Sequence, residues 1–140
     1  MSIKNTQNET DQIYFCTFTC LDWLPLFEIT DLYDEVYAWF NLLVKEKHQI
    51  LGFVIMPNHV HLLIYFTDSR KNINTVLANG KRFLAYEIIK RLADRQRQDI
   101  LDKLSERVTE AERKRKKKHR VFQPSSDIKL CFTQKIVEQK

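Results

Sequence analysis

The chain has 140 residues, of which 44% are hydrophobic, with only 2 glycines and 3 prolines. This length and composition suit one domain of ordinary size with a proper core, and they exclude a disordered or collagen-like chain. No apolar run approaches the roughly 20 residues that span a bilayer, and the polar opening stretch resembles no secretory leader. We therefore predict a cytoplasmic protein with no membrane partner. The 3 cysteines form no CxxC pair, so we expect free thiols.

The charge of the chain is concentrated in one place. Lys and Arg number 23 against 18 Asp and Glu, which gives a net charge of +5. Residues 113–120 are an uninterrupted run of Arg, Lys and one His. Such a block repels itself and stays solvated, so it favours a polyanionic partner. Nucleic acid is the leading candidate, and a solvated face without a partner is the alternative.

The first predicted elements are a strand and a helix. Residues 1–11 are polar and predict a flexible tail. Alternating apolar, β-branched and aromatic residues then predict a strand over Ile13–Thr19. After an apolar turn, Thr30 or Asp31 is expected to cap a helix that runs to about Lys47.

Two strands and a second helix follow. The continuous apolar stretch Ile50–Met56 predicts a strand that is covered on both faces. Pro57-Asn58 is a turn signal, and a second strand is expected over His59–Phe66. The spacing of apolar residues over about 72–93 then predicts a helix.

The last third of the chain is mostly charged. A narrow apolar stripe predicts a helix over about 97–117 that projects from the domain rather than joining its core. Residues 121–130 are expected to be irregular or a short strand, and Thr133 to cap a last helix. The order predicts an α+β domain over 12–140, with helices on one face of an antiparallel sheet, an open opposite face and a protruding basic helix.

The segment Met-Pro-Asn-His-Val-His is the most informative in the chain. Side chains alternate along a strand, so His59 and His61 are expected to share a face while Val60 points to the opposite, buried one. Two adjacent imidazoles on a rigid strand can ligate one divalent ion, although two ligands do not fix which metal. A pair of hydrogen-bonded surface histidines is the alternative.

The surrounding sequence resembles the HUH motif of single-tyrosine transposases, most of all the REP-associated, insertion-sequence-200-like family. The resemblance rests on Gly-Phe-Val-Ile-Met-Pro-Asn running into His-Val-His-Leu-Leu-Ile, residues 52–64, and the wider pattern covers about 14–64. It implies a ferredoxin-like domain that cuts and rejoins single-stranded DNA. His59 and His61 would hold Mg or Mn, which polarises the scissile phosphate, while a tyrosine attacks and leaves a 5′-phosphotyrosine and a free 3′-OH.

The identity of the tyrosine is open. Tyr65 shares the strand face of the histidines, but a strand leaves it little freedom to approach a phosphate. Tyr86 is the candidate nucleophile, because Arg82 and Lys90 lie one helical turn before and after it. An exposed tyrosine on a DNA-facing helix is the alternative. The family's late-helix pattern, such as Tyr-x-x-x-Gln, is not found here, so the chain is truncated relative to its relatives, uses Tyr86, or binds without cutting.

The basic side chains of the second long helix and of the run 113–120 are expected to contact phosphates. Phe83 and Phe122 are expected either to stack on bases or to pack in the core. The basic residues are Lys81, Arg82, Lys90, Arg113, Lys114, Arg115, Lys116, Lys117, Lys118 and Arg120, with Arg91 as an extension.

Three functions are compatible with these patterns. The first is a metal-dependent DNA strand transferase acting on single-stranded or hairpin DNA. The second is a truncated or domesticated relative that binds such DNA without cutting it. The third is a ferredoxin-like RNA-binding domain, which is disfavoured because its open sheet face should carry exposed aromatics rather than two histidines. The oligomeric state, a homodimer included, is left open.

Overall fold

A computed structural model of the chain describes residues 11–67 and 71–131. Four strands in these residues form one antiparallel sheet in the order β2-β3-β1-β4. They are β1 (Gln12–Thr19), β2 (Gln49–Met56), β3 (His59–Phe66) and β4 (Asp127–Cys131). The predicted helix at Thr133 lies outside the described residues, as does the predicted tail except for Asp11, whose N–H donates to the Phe66 carbonyl at 2.6 Å.

The helices lie together on one face of this sheet. Four of the five described α-helices bury side chains against the strands in a single apolar core, which confirms the predicted α+β class. The helices are α1 (Leu26–Ile29), α2 (Tyr33–Lys45), α3 (Ile73–Asp94), α4 (Gln98–Glu106) and α5 (Glu110–Lys114). None of these described helices has the length and apolarity that crossing a membrane requires.

The pairing of β1 with β3 separates a buried face from an open one. On the buried face the opposed pairs are Tyr14 with Ile64, Cys16 with Leu62, and Phe18 with Val60, and all six side chains are at most 1% exposed. The residues between them form the open face, which carries no helix among the described residues. Its central pairs are Phe15 with Leu63, Thr17 with His61, and Thr19 with His59.

The expected free thiols are confirmed. Cys16, Cys20 and Cys131 are all unpaired, and the first two are buried. Burial raises the pKa of the Cys16 and Cys20 thiols to about 12, so both behave as small apolar core residues.

The structure corrects the start of α2. Thr30 and Asp31 do not cap it; its N-cap position is Leu32, which makes no side-chain capping bond. The apolar turn before it folds instead into the short helix α1, and the Thr30 hydroxyl donates back to the Leu26 carbonyl at 2.7 Å. The Thr30 hydroxyl therefore stabilises the end of α1 and does not cap the start of α2.

The prediction that β2 is covered on both faces is wrong. β2 is the outer strand of the sheet, and a bulge between Ile50 and Gly52 shifts its register with β3. Leu51, Val54 and Met56 are 41–50% exposed. The continuous apolar sequence reflects an edge strand whose inner face packs on α2 and whose outer face stays open.

The single projecting helix predicted over 97–117 is also wrong. The chain forms α4 and α5, separated at 107–109, and Thr109 begins α5 with a reciprocal capping box to Glu112. α4 buries Ile100, Leu101 and Leu104 in the core, so it belongs to the domain. By contrast α3 begins as predicted, with the Asn72 side chain accepting from the Thr75 N–H at 2.9 Å.

The close approach of α2 to α3 depends on Gly80. The Trp39 indole, which also packs against Phe18, lies directly over this glycine. A Cβ at residue 80 would collide with the indole ring, so only glycine allows the two helices this separation.

We predict that Gly80→Ala destabilises the protein by roughly 1–3 kcal/mol, although alanine is intrinsically the better helix former by about 1 kcal/mol. The measurement is urea unfolding. Gly52→Ala is the matched control, because a Cβ there would meet nothing within 4 Å. A Gly80→Ala variant as stable as the original chain would contradict the argument.

Candidate metal and nucleic-acid sites

The histidine pair, His59 and His61, lies on the open face at the start of β3. The two imidazole centroids are 4.7 Å apart, and their planes are nearly perpendicular at 80°. Val60, between them, is fully buried on the opposite face. The two rings therefore share one face, as the alternation predicts.

Neighbouring side chains fix one nitrogen of each ring. His61 Nδ1 is 2.8 Å from Thr17 Oγ1, its cross-strand neighbour on β1. His59 Nδ1 lies 2.6 Å from the Asn58 amide oxygen, which can only accept, so this nitrogen carries the proton. Within the described part of the chain, neither Nε2 has a hydrogen-bond partner. Hydrogen bonds to the far nitrogen are what orient metal-binding histidines.

Burial, and secondarily the proximity of His61, lowers the pKa of His59 below its ordinary value. The shift favours the neutral ring, which is the form that can bind a cation. His59 is therefore available as a ligand at neutral pH.

Two aromatic side chains border the histidine pair. Phe15 stacks on the His61 ring, with centroids 5.5 Å apart and planes 15° apart. Trp23 meets the edge of His59 at 6.1 Å and is 62% exposed. The open side therefore carries aromatics as well as histidines, so the histidine pair does not count against an RNA-binding domain.

Trp23 was not predicted as a site residue, since nothing in the sequence brings it near His59. Its position comes from a tight turn in which Asp22 and Trp23 both take left-handed backbone angles, φ 52° and 59°. The Asn58 side chain donates to the Trp23 carbonyl at 3.3 Å. The turn is also held by the Arg107 guanidinium, 2.6 Å from the Asp22 carboxylate.

The histidine pair could supply two protein ligands to an ion. Among residues 11–67 and 71–131, no group of three or more His, Cys, Asp or Glu could hold a metal ion. The remaining ligands of a bound ion would therefore be water or substrate oxygens, unless residues outside those ranges contribute.

The structure does not bring Tyr86 to the histidine pair. Tyr86 lies on α3 and faces away from the core, so the full thickness of the sheet separates it from His59 and His61. Of the chain's 5 tyrosines, all of them described, only Tyr65 lies on the open face. Its hydroxyl donates to Asp11 at 3.4 Å, and four residues of strand, about 13 Å, separate it from His61.

Tyr86 instead lines a basic groove on the helix side of the domain. This groove, of about 820 Å³, lies between α3 and the segment 115–124. Seven of the predicted phosphate-binding residues line it: Lys81, Arg82, Arg115, Lys116, Lys117, Lys118 and Arg120. Lys90, Arg113 and Lys114 are exposed but do not line it.

Lys81 and Arg91, which were predicted to contact phosphates, and Phe122, which was predicted either to stack on bases or to pack in the core, are engaged within the domain. The Lys81 ammonium donates to the Gln123 carbonyl at 3.2 Å and to the Ser126 hydroxyl at 3.1 Å, and burial, helped by Lys117, lowers the pKa of Lys81 to about 8. Arg91 forms ion pairs with Asp34 and Glu35 of α2. Phe122 is buried against Phe18, 5.4 Å between centroids, which confirms the core interpretation.

Glu112 organises the basic run. Its carboxylate accepts from the Arg120 guanidinium at 2.6 Å and lies 3.5 Å from the Lys117 ammonium. The same carboxylate accepts from the Thr109 N–H at 3.0 Å. The Arg120 bond, the Thr109 bond and the nearby Lys117 charge lower the pKa of Glu112 to about 2. The segment after α5 is therefore folded back onto that helix.

No protein-family model and no curated protein matches the chain. Among solved structures, the chain is similar to a REP-associated tyrosine transposase bound to a REP hairpin, with a TM-score of 0.62. The identity is 12%, and the match covers 99% of this chain and 67% of that one. At this identity the likeness is one of fold, and it agrees with the predicted fold class.

Proposed function

We propose that the chain binds single-stranded or hairpin DNA and holds a divalent ion on its histidine pair, at the phosphodiester-binding site of a transposase-like domain. The observation that carries the proposal is the histidine geometry: two imidazoles share the open face, and each has its Nδ1 held by a neighbour. The likeness in fold to a transposase bound to a DNA hairpin supports it. The basic groove supplies the charge that a phosphate backbone requires.

The donor set fits Mn²⁺ better than Mg²⁺. Imidazole suits first-row transition metals, and Mn²⁺ also accepts the water and phosphate oxygens that would complete its coordination. Mg²⁺ prefers oxygen ligands throughout. When bound, the ion would polarise the phosphate and stabilise charge that develops on it.

The chain's own residues would prepare the site. Thr17 and Asn58 hold the rings of the histidine pair in place, and the neutral state of His59 keeps a lone pair on its Nε2. Phe15 and Trp23 offer exposed aromatic surface beside the rings, where an unpaired base next to the phosphate could stack.

The placement of the tyrosines favours binding without cutting as a second candidate function. Cleavage would need a phenol oxygen to attack phosphorus in line, forming a phosphotyrosine while the bond to the 3′ oxygen breaks and that oxygen takes up a proton. Tyr14 is buried, Tyr33 and Tyr37 lie on α2, and Tyr86 lies on α3, all away from the open face. None of these phenols meets the histidine pair.

Mn²⁺ binding tests the histidine pair. We predict that calorimetry detects one Mn²⁺ site that is lost when both His59 and His61 are replaced by alanine. Thr17→Val should weaken the affinity about tenfold, because it frees the His61 ring from its orienting partner. His119→Ala is the control, since it removes a histidine from the basic groove and leaves the open face unchanged. Unchanged binding in the double variant would refute the site.

Salt dependence tests the basic groove. If the groove neutralises about five phosphates, the logarithm of the DNA association constant should fall by roughly 3.5–4.5 per tenfold rise in salt. Replacing Arg115, Lys116 and Lys118 with glutamine should reduce this slope by about 2–3. Lys45→Gln, at the end of α2, is the control and should leave the slope unchanged. Equal slopes in both variants would show that DNA binds elsewhere.

Covalent chemistry is tested by denaturing electrophoresis of hairpin DNA incubated with the chain and Mn²⁺. We predict no adduct or a very weak one, because no tyrosine contacts the histidine pair. A strong adduct that disappears in Tyr86→Phe would contradict the geometry and identify Tyr86 as the nucleophile. Loss of a strong adduct in Tyr65→Phe would instead show that β3 rearranges when DNA binds.

A further inference from the structure

Tyr86 is the most exposed aromatic side chain among the described residues, at 72%. The opposite face of its helix lies in the core, where Leu84 and Ile88 are completely buried. The Tyr86 ring forms part of the wall of the basic groove.

The groove combines small, apolar and cationic surfaces around this ring. On the α3 side its lining includes the short side chains of Ala78 and Ala85. Arg82 lies one helical turn before Tyr86, and the cations of residues 115–118 form the opposite wall. The one acidic lining residue is Glu112, which is engaged by Arg120 and Lys117.

These features match one chemical class of ligand. An aromatic ring flanked by cations suits a nucleotide whose base is unpaired, because the base can stack on the ring while its phosphates meet the cations. The bases of a duplex stack on one another and offer no free face, so a duplex would use only the cations. The groove volume of about 820 Å³ is also within the range that encloses small organic ligands.

We infer that the basic groove is a binding site for unpaired nucleotides, in which Tyr86 stacks on a base and selects single strands over duplex. The inference rests on the proposed function, because it takes DNA binding as given. It assigns Tyr86 to recognition instead of nucleophilic attack. Since the sheet separates the groove from the histidine pair, the nucleotides bound at the two places belong to different segments of DNA.

The test is fluorescence anisotropy with a labelled oligothymidine of about 12 nucleotides, within the range of small single-strand sites, and with a duplex of equal length. Tyr86→Ala should weaken single-strand binding roughly 5- to 150-fold, the loss expected for one stacked base. The salt slope should stay the same because no charge is removed. Tyr86→Phe should keep the affinity, since the ring remains, and duplex binding should not change in either variant.

Tyr37→Ala is the control, because it removes a 48%-exposed tyrosine from α2, outside the groove. Unchanged single-strand affinity in Tyr86→Ala would overturn the inference. So would equal losses on single strand and duplex, or a loss in Tyr86→Phe, which would point to the hydroxyl. Failure of the proposed function has a different signature: the unmodified chain would bind neither DNA, or would bind without salt dependence.

Discussion

Thr17 lies opposite His61, and Thr19 opposite His59, because β1 and β3 pair in one antiparallel register. The large side chains on the other face, such as Phe18, fix that register by filling the core beneath the helices. A slip of one residue would turn every side chain of a strand over. The histidines would then enter the core and Val60 would face solvent, so the packing of one face determines the chemistry available on the other.

The sheet also divides the surface of the domain into two regions with different properties. The open face offers imidazole and aromatic groups on rigid strands, whereas the helix side offers a concave, cationic surface around Tyr86. The apolar core lies between them. A nucleic acid in contact with both regions would have to pass around an edge of the sheet, which a single strand does more readily than a stiff duplex.

The parts of the fold that could be predicted from sequence are those in which a local pattern is sufficient. Alternation predicted β1 and β3, and the same alternation placed His59 on the face away from the helices. Tyr86 was nevertheless the candidate nucleophile, although its helix was predicted to lie on the other side of the sheet. The break before α5 was missed by the prediction of one helix over 97–117, although Thr109 and Glu112 have the capping-box spacing that marks a helix start. The outer position of β2 could not be predicted, since an apolar strand looks the same in sequence whether one or both of its faces are covered.

Glu112 fixes the positions of two cations of the basic run. Like charges in sequence repel one another and spread apart, so a run of cations alone would present a diffuse charge to its surroundings. Here one carboxylate engages Arg120 and Lys117 at fixed distances and ties both to the start of α5 through Thr109. The acidic residue thereby holds these two cations at defined positions relative to each other. Cations at fixed positions can match the regular spacing of phosphates along a backbone, whereas cations without fixed positions can only attract it.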